Sequence, residues 1–410
     1  MGTAELTELT EEQQAIRDLG RKFGSEVMRP AAIALDKLPD PEQVIAKDSI
    51  LWDVYRQYRK LGFHRRGYPE EIGGLGVSDD VLGGLLFSEE MGYWASDLAI
   101  SFGCDGFPFR AAMMSPDPEV QNLTRQWLAD EDAKLIGCWA ITEPDHGSDW
   151  ILFDGPESRN PKCAPQVRAV KDGKYYIING QKAAWVSNGT IATHAALYLS
   201  LDPSSGMAGG GIAVVPLDLP GVSKGKPLNK IGQRALNQGE IFFDNVRLPE
   251  AFMVQANKDI FPFLIGGTLT AANAGMSVTF AGLARAAFDE ALAYAKERVQ
   301  GGKPIIEHQN IQLKLFKMFT QVEAARALAR RVNLFNRTAA QPLLQYSIAA
   351  KIFSTETAFN VASEAIQIFG GNGLSKDYHI EKIFRDARAS MIEDGVNETL
   401  ALGGAQRLAQ

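Results

Sequence analysis

The sequence predicts an α+β protein of several domains, with an α-helical region at each end of the chain and a small β-domain between them. Apolar residues recur every three or four positions up to about residue 134 and again after residue 257, which is typical of amphipathic helices. Between these regions they form short runs typical of strands. A chain of 410 residues, 45% of them hydrophobic, is long enough for two or three domains. We expect them at residues 1–134, 135–255 and 256–410.

The first helix is predicted to begin at Thr10. Glu11 and Glu12 follow this residue, and a capping side chain followed by acidic residues is typical of a helix start. Proline and glycine interrupt the helical spacing at several later points. The first region therefore predicts an all-helical domain.

The middle region predicts a small β-domain. Its β-type runs lie at residues 175–178, 195–199, 211–215 and 240–243. Asn179 and Gly180 form a dipeptide typical of a type I′ hairpin turn. Ser204, Ser205 and Gly206, with glycines at 209–211, predict a flexible loop.

The last region predicts a helical bundle. Its clearest apolar stripe has alternating spacings of four and three, which places the residues on one face of a helix. The stripe consists of Ile311, Leu315, Met318, Val322, Ala325, Ala329 and Val332. We find no internal repeat.

Composition argues against a nucleic-acid partner. The net charge is −7 and the pI is near 5.5, whereas phosphate binding requires clustered Lys and Arg. The densest basic group, Arg326, Arg330 and Arg331, shares its helix with Glu323, and we interpret it as a solvated face.

We expect a cytoplasmic protein. The three cysteines are an odd number without a C-x-x-C motif, as in proteins of reducing compartments. The acidic N-terminus has neither signal-peptide nor transit-peptide character. No run approaches the ~20 apolar residues of a membrane span. The five histidines lack metal-ligand spacing, so we expect no metal site.

Two tryptophan-containing runs predict a flavin site. They are residues 139–149 (WAITEPDHGSD) and 185–189 (WVSNG). A flavin ring has flat apolar faces and hydrogen-bonding edges, so its site needs an aromatic wall with hydroxyl or amide groups beside it. Trp185, Thr142 and Ser187 supply these parts. Trp139 or Trp185 taken alone would more often be a core or hairpin residue.

This pair of runs resembles the acyl-CoA dehydrogenase family, and further family-like runs follow in the family's order. These are residues 230–234 (KIGQR), 242–249 (FFDNVRLP), 294–298 (YAKER), 308–309 (HQ), 367–373 (QIFGGNG) and 384–388 (FRDAR). The resemblance implies a helical domain, a β-domain and a C-terminal four-helix bundle. It also implies FAD as cofactor, an acyl-CoA substrate dehydrogenated at its α and β carbons, and an electron-transfer flavoprotein as acceptor.

The resemblance assigns the cofactor contacts residue by residue. Around the flavin ring it implies Trp139, Thr142, Gly147, Ser148, Trp185 and Ser187. Toward the pyrophosphate and adenosine it implies Arg298, Gln309, Gln367, Gly370 and Gly371. In the family the second group reaches the flavin of a neighbouring subunit, which implies at least a dimer and usually a homotetramer. Gly301-Gly302 and Val396 depart from the family's pattern at this site.

The resemblance also implies a carboxylate that removes the proton α to the thioester carbonyl while hydride leaves the β carbon for flavin N5. Counting from the run 384–388, the family's Glu falls on Asp394 and its preceding Tyr on Glu393. Asp394 is our candidate base; Glu393 could replace it, or both could simply form a turn before Gly395. A second base position known in the family falls on Ala272, which cannot ionise.

The helix around residues 88–94 corresponds to one that lines the family's acyl pocket. Trp94 stands about where relatives specific for dicarboxylyl groups have Arg, which disfavours a glutaryl-type substrate. Asp97 and Asp105 could add a second acid to this pocket, or they could be cap or turn residues. The short Asp394 side chain suggests a bulky, branched or alicyclic acyl group.

Two other functions are compatible with these residues. An oxidase or nitroalkane-oxidising relative on the same fold would also use an aspartate before glycine. A flavin- or acyl-CoA-binding protein without turnover would need no base at Asp394.

Overall fold

The computed structural model describes residues 3–77 and 79–409. Strands lie only in the middle and near residue 300 of this part of the chain, with helices on both sides, as the sequence predicted. The helices are α1 (Glu11–Phe23), α2 (Arg29–Asp36), α3 (Pro41–Val44), α4 (Ile50–Lys60), α5 (Val81–Asp105), α6 (Phe107–Ala112), α7 (Pro118–Ala129), α8 (Phe261–Glu297), α9 (Gln309–Thr338), α10 (Leu344–Phe369), α11 (Ile380–Ser390) and α12 (Asn397–Leu408).

Helix α1 begins where its capping residues predict. The Thr10 hydroxyl accepts a hydrogen bond from Gln13 N–H, and the Gln13 side chain accepts one from Thr10 N–H, both at 3.2 Å. This reciprocal pair satisfies amides that the first helical turn would otherwise leave unpaired. A π-helical turn, Gly24–Met28, follows the helix.

The middle of the chain forms a seven-stranded sheet in the order β1-β4-β2-β3-β7-β6, with β5 paired to β4. The strands are β1 (Gly137–Ala140), β2 (Arg168–Asp172), β3 (Tyr175–Lys182), β4 (His194–Ser200), β5 (Gly210–Pro216), β6 (Val222–Lys224) and β7 (Ile241–Pro249). Strand β5 pairs along the whole of β4, which leaves the other edge of β4 to β1 and β2. A separate hairpin is formed by β8 (Val299–Gln300) and β9 (Lys303–Pro304).

The predicted position of the hairpin turn in this region is wrong. Asn179 and Gly180 lie inside β3, where the pairing register with β7 shifts and Gly180 has φ 132°, so the dipeptide forms a bulge. The hairpin turn lies instead at Gly173, between β2 and β3. The predicted flexible loop contains a 3-10 helix, Pro203–Gly209, whose start is capped by the Asp202 carboxylate.

The C-terminal helices α8, α9 and α10 pack together, and α5 packs against α8. The predicted stripe on α9 is buried from Leu315 to Val332, while Ile311 packs at its edge. Helix α8 is long and apolar enough to cross a bilayer by length and composition, with half of its most apolar window buried in the protein. Its contacts are those of a core helix in a bundle.

A cluster of buried charges joins these helices. Arg285 donates to Glu89 and Glu90 at 2.7 Å, and Arg326 and Arg330 also donate to Glu89 at 2.9 and 2.7 Å. Burial alone would raise the pKa of Glu89, but the three guanidinium groups outweigh it and lower the pKa to about 2. The prediction of a solvated face at Arg326 and Arg330 is therefore wrong, because their partners come from α5, distant in sequence.

Helices α5 and α8 approach each other through glycine. A Cβ atom added at Gly92 would lie 2.0 Å from the carbonyl oxygen of Thr279, and one added at Gly282 would lie 2.2 Å from that of Glu89. Backbone carbonyls cannot move aside as flexible side chains do. The two glycines thus set the distance between the helices.

We expect Gly92→Ala to lower the free energy of unfolding by about 1–3 kcal/mol, the range for overpacking a close contact. Gly84→Ala is the matched control on the same helix, since a Cβ there meets nothing within 4 Å. That change should be neutral or stabilising by up to about 1 kcal/mol, because Ala favours the helix. Denaturant unfolding followed by circular dichroism measures both; a Gly92→Ala variant as stable as wild type would contradict the packing argument.

Candidate active site

The first tryptophan run leaves strand β1 and turns sharply. Trp139 is partly buried, and its ring stacks on that of Phe107 with the centroids 4.9 Å apart. Three residues beyond the strand, Glu143 N–H donates to the carbonyl oxygen of His146 at 2.7 Å. Thr142, just before this turn, is half-buried, and its hydroxyl has no partner among the described residues. The turn leaves that hydroxyl available to a ligand.

A buried ion pair holds the first run against the second. Lys182 Nζ donates to Glu143 Oε1 at 2.7 Å, and both side chains are fully buried. Glu143 also accepts from the amides of Gln166 (2.5 Å) and Val167 (3.0 Å). Burial lowers the pKa of Lys182 to about 8, and Glu143 opposes that shift. Because Lys182 comes three residues before Trp185, this pair fixes the two runs side by side.

The second run is held by Asn188, which is fully buried and has φ 62°. Its side-chain amide donates to the carbonyl oxygens of Ser101 (2.8 Å) and Gly137 (3.2 Å). Asn tolerates this left-handed conformation better than most residues do. The run is thereby tied to both α5 and β1.

Ser187 lies among polar side chains. Gln238 Nε2 donates to Ser187 Oγ at 3.1 Å and to the Trp185 carbonyl oxygen at 3.2 Å. Gln238 Oε1 accepts from Lys230 Nζ at 2.8 Å. Burial raises the pKa of the Cys104 thiol, near the end of α5, and Ser187 opposes this rise.

These residues fit a flavin. The side chain of Trp185 remains 58% exposed, although its backbone is fixed on both sides. A flat aromatic ring laid on this indole would remove apolar area from water, and the hydroxyls of Thr142 and Ser187 could meet polar ring edges. The donor set required of an FAD site is therefore present.

The turn between α11 and α12 carries the two predicted acids. Asp394 has φ 51° and Gly395 has φ 103°, so the backbone turns sharply there. Lys351 of α10, fully buried, donates from Nζ to the Gly395 carbonyl oxygen (2.8 Å) and to Asn397 Oδ1 (2.7 Å). Gln233 Nε2 donates to Glu393 Oε1 at 2.6 Å. The acids are thus held by α10 and by the loop before β7.

The same turn is fastened to the first tryptophan run. Val396 N–H donates to Ser148 Oγ at 3.0 Å. Ser148 follows Gly147, whose own amide donates to Asp149 Oδ1 at 2.6 Å. The structure therefore brings Ser148, predicted at the flavin, to the turn that carries Asp394.

Both carboxyl groups have raised pKa values. Burial raises the pKa of Glu393 to about 7; the Gln233 hydrogen bond opposes this shift, and the charge of Asp394 adds to it. Burial also raises the pKa of Asp394, opposed by Lys351. Burial raises the pKa of the Cys104 thiol, and the charges of Asp394 and Glu393 add to this rise.

The residues predicted to bind the adenosine end form a separate exposed group at one end of the bundle. Arg298 ends α8, Gln309 begins α9, and Gln367, Gly370 and Gly371 lie at the end of α10. The two helix ends are joined by Tyr294, whose ring stacks on Phe369 at 4.0 Å. None of these residues contacts the tryptophan runs within the described part of this chain.

The structure places Asp97 away from an open pocket. Helix α5 is kinked at Ala95 (φ −162°, ψ 95°), and beyond the kink Asp97 accepts from Leu98 N–H at 2.9 Å and from Lys382 Nζ at 2.8 Å. Its side chain is fully buried. Asp97 is thus corrected from a pocket acid to a cap and ion-pair residue. Asp105 likewise forms a buried ion pair, with Arg59 at 2.6 Å.

Trp94, the other residue predicted in the acyl pocket, contacts the N-terminal helices. Arg29 lies over its ring at 4.5 Å, and its Nε1 donates to Glu90 Oε2 at 3.1 Å. A Cβ atom added at Gly24 would lie 2.0 Å from Cδ1 of the Trp94 ring, so the ring fits there only because residue 24 is glycine. These contacts assign Trp94 a packing role between α5 and the π-helical turn.

Sequence reasoning did not identify Gln233, Lys351 or Cys104 as site residues. Gln233 lies inside a run that the family resemblance already includes, so its polar side chain was a usable signal. Lys351 is a lone charge in the apolar stretch 348–353, a pattern that often marks a buried, paired group. Cys104 offered no comparable signal.

Comparisons with known proteins agree with this fold. Models of the acyl-CoA dehydrogenase N-terminal, middle and C-terminal domains match residues 10–109, 138–246 and 264–409. The chain is 30% identical to a probable acyl-CoA dehydrogenase (YngJ) of Bacillus subtilis, over 98% of this chain and 99% of that protein. It is also 30% identical to cyclohex-1-ene-1-carbonyl-CoA dehydrogenase of Syntrophus aciditrophicus, over 96% and 89%. Butyryl-CoA dehydrogenase from Megasphaera elsdenii superposes with a TM-score of 0.85 at 26% identity, over 99% and 100%.

The raised pKa of Glu393 predicts a pH-dependent stability. Between the ordinary value of 4.5 and the folded value of about 7, the folded protein holds a proton that the unfolded chain releases. Rising pH therefore destabilises the fold across this window, and the penalty is complete above it. We expect Glu393→Gln, which stays neutral, to gain stability relative to wild type as the pH rises from about 4.5 to about 7.

Thermal unfolding of the two proteins across this pH range measures the difference. Glu398→Gln, which removes an exposed carboxyl on α12, is the control. A difference between Glu393→Gln and wild type that does not change with pH would contradict the prediction.

Proposed function

Because this chain belongs to the acyl-CoA dehydrogenase family, and is therefore an FAD-dependent oxidoreductase that dehydrogenates an acyl-CoA, we propose that Asp394 is the base that removes the proton α to the thioester carbonyl. The observation that carries this proposal is the turn at residues 393–395. This turn carries Asp394 and is bound to the first tryptophan run by the hydrogen bond from Val396 N–H to Ser148 Oγ (3.0 Å), which supports a base beside the flavin site.

The surroundings of Asp394 suit a base. Its left-handed backbone is held on one side by the Lys351 contact to Gly395 and on the other by the Ser148 contact to Val396. A carboxylate that is fixed in place does not have to be reoriented in each turnover. Burial raises the pKa of Asp394, and a raised pKa makes a carboxylate a stronger base at neutral pH.

The chain's residues divide the remaining tasks. Trp185, Thr142 and Ser187 would hold the flavin ring of FAD, which when bound accepts the hydride that leaves the β carbon of the acyl group. Lys351 positions the base through the Gly395 carbonyl oxygen. Glu393, hydrogen-bonded to Gln233, is the second acid of the turn and the alternative base.

The acyl group and the electron acceptor belong to the same proposal. We propose an alicyclic or branched acyl group, supported by the shorter base and by a relative named cyclohex-1-ene-1-carbonyl-CoA dehydrogenase. As acceptor we propose an electron-transfer flavoprotein, in line with the family resemblance. Cyclohexanecarboxyl-CoA compared with butyryl-CoA, in assays with such an acceptor, tests both points.

We also propose a homotetramer in which the exposed group around Arg298 meets the FAD of a neighbouring subunit. Large apolar side chains lie exposed beside this group: Val299 is 58% exposed, Leu313 65% and Phe316 68%. Contact with a second copy would remove this area from water.

Asp394→Asn should bind FAD as wild type does but reduce it with an acyl-CoA on the order of 10²- to 10⁴-fold more slowly, the usual contribution of a general base. Anaerobic stopped-flow bleaching of the flavin band measures the rate, and the flavin-to-protein absorbance ratio measures FAD content. Asp394→Glu keeps a carboxylate and should lose less.

Glu393→Gln separates the two acids in the same assay. It should stay within about tenfold of wild type if Asp394 is the base. A loss confined to Glu393→Gln would assign the base to Glu393. Bleaching of wild type by no thioester at all would reject the enzyme assignment.

Phe316→Glu should break the proposed subunit contact, because a carboxylate cannot be buried there without a partner. We expect a smaller particle by light scattering and a lower FAD content. Val170→Glu, at a side chain 66% exposed on β2, is the control. A tetramer with full FAD in the Phe316→Glu variant would contradict this assignment of the interface.

A further inference from the structure

We infer that Glu393 and Gln233 recognise a neutral hydroxyl group on the acyl chain, at the γ carbon or beyond. This inference rests on the proposed function and concerns the selection of the substrate. Glu393 is thereby a specificity residue, separate from the base Asp394.

Gln233 holds one oxygen of Glu393 in a fixed direction. The Gln233 amide N–H donates to Asp386 Oδ1 at 2.5 Å, and its side-chain Nε2 donates to the Asp386 carbonyl oxygen (3.3 Å) and to Glu393 Oε1 (2.6 Å). Gln233 is only 2% exposed and has φ 49°. Its amide is therefore anchored, and it anchors the carboxyl group in turn.

The second oxygen of Glu393 is free to bind a ligand. Oε2 has no hydrogen bond to any described residue, and the side chain is only partly buried. The turn that carries Glu393 is bound to the first tryptophan run, because Val396 N–H donates to Ser148 Oγ at 3.0 Å. A polar oxygen thus lies on the turn that borders the predicted flavin site.

The charges around this oxygen favour a neutral partner. Lys351 donates to the Gly395 carbonyl oxygen beside Asp394, and Asp386, which holds Gln233, is paired with Lys382. Lys230 is already bound to Gln238 Oε1 (2.8 Å) and to the Leu236 carbonyl oxygen (2.7 Å). An ammonium or carboxylate group on the substrate would lose its hydration here and find no unpaired opposite charge to offset that cost. A hydroxyl group loses far less hydration free energy.

A hydroxyl also suits both protonation states of Glu393. It can donate to the carboxylate or accept from the carboxylic acid. Dehydrogenation removes one hydrogen from each of the α and β carbons, so a hydroxyl that survives as an alcohol stands at the γ carbon or further out. The substrate class is therefore an ω- or ring-hydroxylated acyl-CoA.

The test compares matched pairs of thioesters in which a hydroxyl replaces a methyl group. The pairs are 4-hydroxybutyryl-CoA with pentanoyl-CoA, and 4-hydroxycyclohexanecarboxyl-CoA with 4-methylcyclohexanecarboxyl-CoA. For the FAD-loaded wild-type enzyme we expect kcat/KM to favour the hydroxylated member of at least one pair by about tenfold or more, because a site built to bind a hydroxyl penalises its absence. Preference for the methyl member in both pairs would overturn the inference while the dehydrogenase activity stands.

Two variants test whether Glu393 and Gln233 cause the preference for the hydroxylated thioester. The quantity compared is the ratio of kcat/KM for the hydroxylated thioester to kcat/KM for its methyl partner. In the double variant Gln233→Leu with Glu393→Leu, this ratio should fall to one or below. Glu393→Gln, whose side chain can still form a hydrogen bond, should keep most of the wild-type ratio. Glu398→Leu, at an exposed position of α12, is the matched control and should leave the ratio unchanged. A wild-type ratio retained in the double variant would also overturn the inference. Reduction of the flavin by no member of either pair would instead count against the proposed function.

Discussion

The geometry of the candidate active site depends on the buried ammonium group of Lys382. It lies between Asp97 of α5 (2.8 Å) and Asp386 of α11 (2.5 Å). Asp97 also accepts a hydrogen bond from the backbone amide of Ala235, and Asp386 accepts one from that of Gln233. Burial alone would lower the pKa of Lys382, but the two carboxylates outweigh it and raise the pKa. One ion thus joins the N-terminal helices, the loop before β7 and the C-terminal helices. Removing one member of a buried ion pair commonly costs about 3–5 kcal/mol.

The position of the two acids follows from this junction. Asp386 fixes Gln233, and Gln233 fixes Glu393, while Lys351 holds the other end of the turn beyond Asp394. Polar groups around this turn are placed by other polar groups that come from different parts of the chain. The turn therefore presents one acid suited to proton removal and a second suited to recognition.

Sequence reasoning predicted the helical and strand regions well, because their apolar spacing is a local signal. It failed where a distant partner decides the outcome. Arg326 sits on a helix with Glu323, yet it binds the buried Glu89. Asn179 and Gly180 form a hairpin dipeptide, but the partner strand β7 forces them into a bulge. Asp97 was considered as a pocket acid, and the kink in α5 turns it toward Lys382.

The sequence by itself determined the family, the FAD cofactor and the identity of the acids at 393 and 394, because these depend on the order and spacing of motifs along the chain. Only the tertiary structure decided how those acids are held, since Gln233 is 160 residues away from its partner Glu393, and Lys351 is 44 residues away from its partner Gly395. The physical reason is that the protonation and direction of a carboxyl group are set by burial and by neighbouring charges. Those neighbours become close only when the chain has folded.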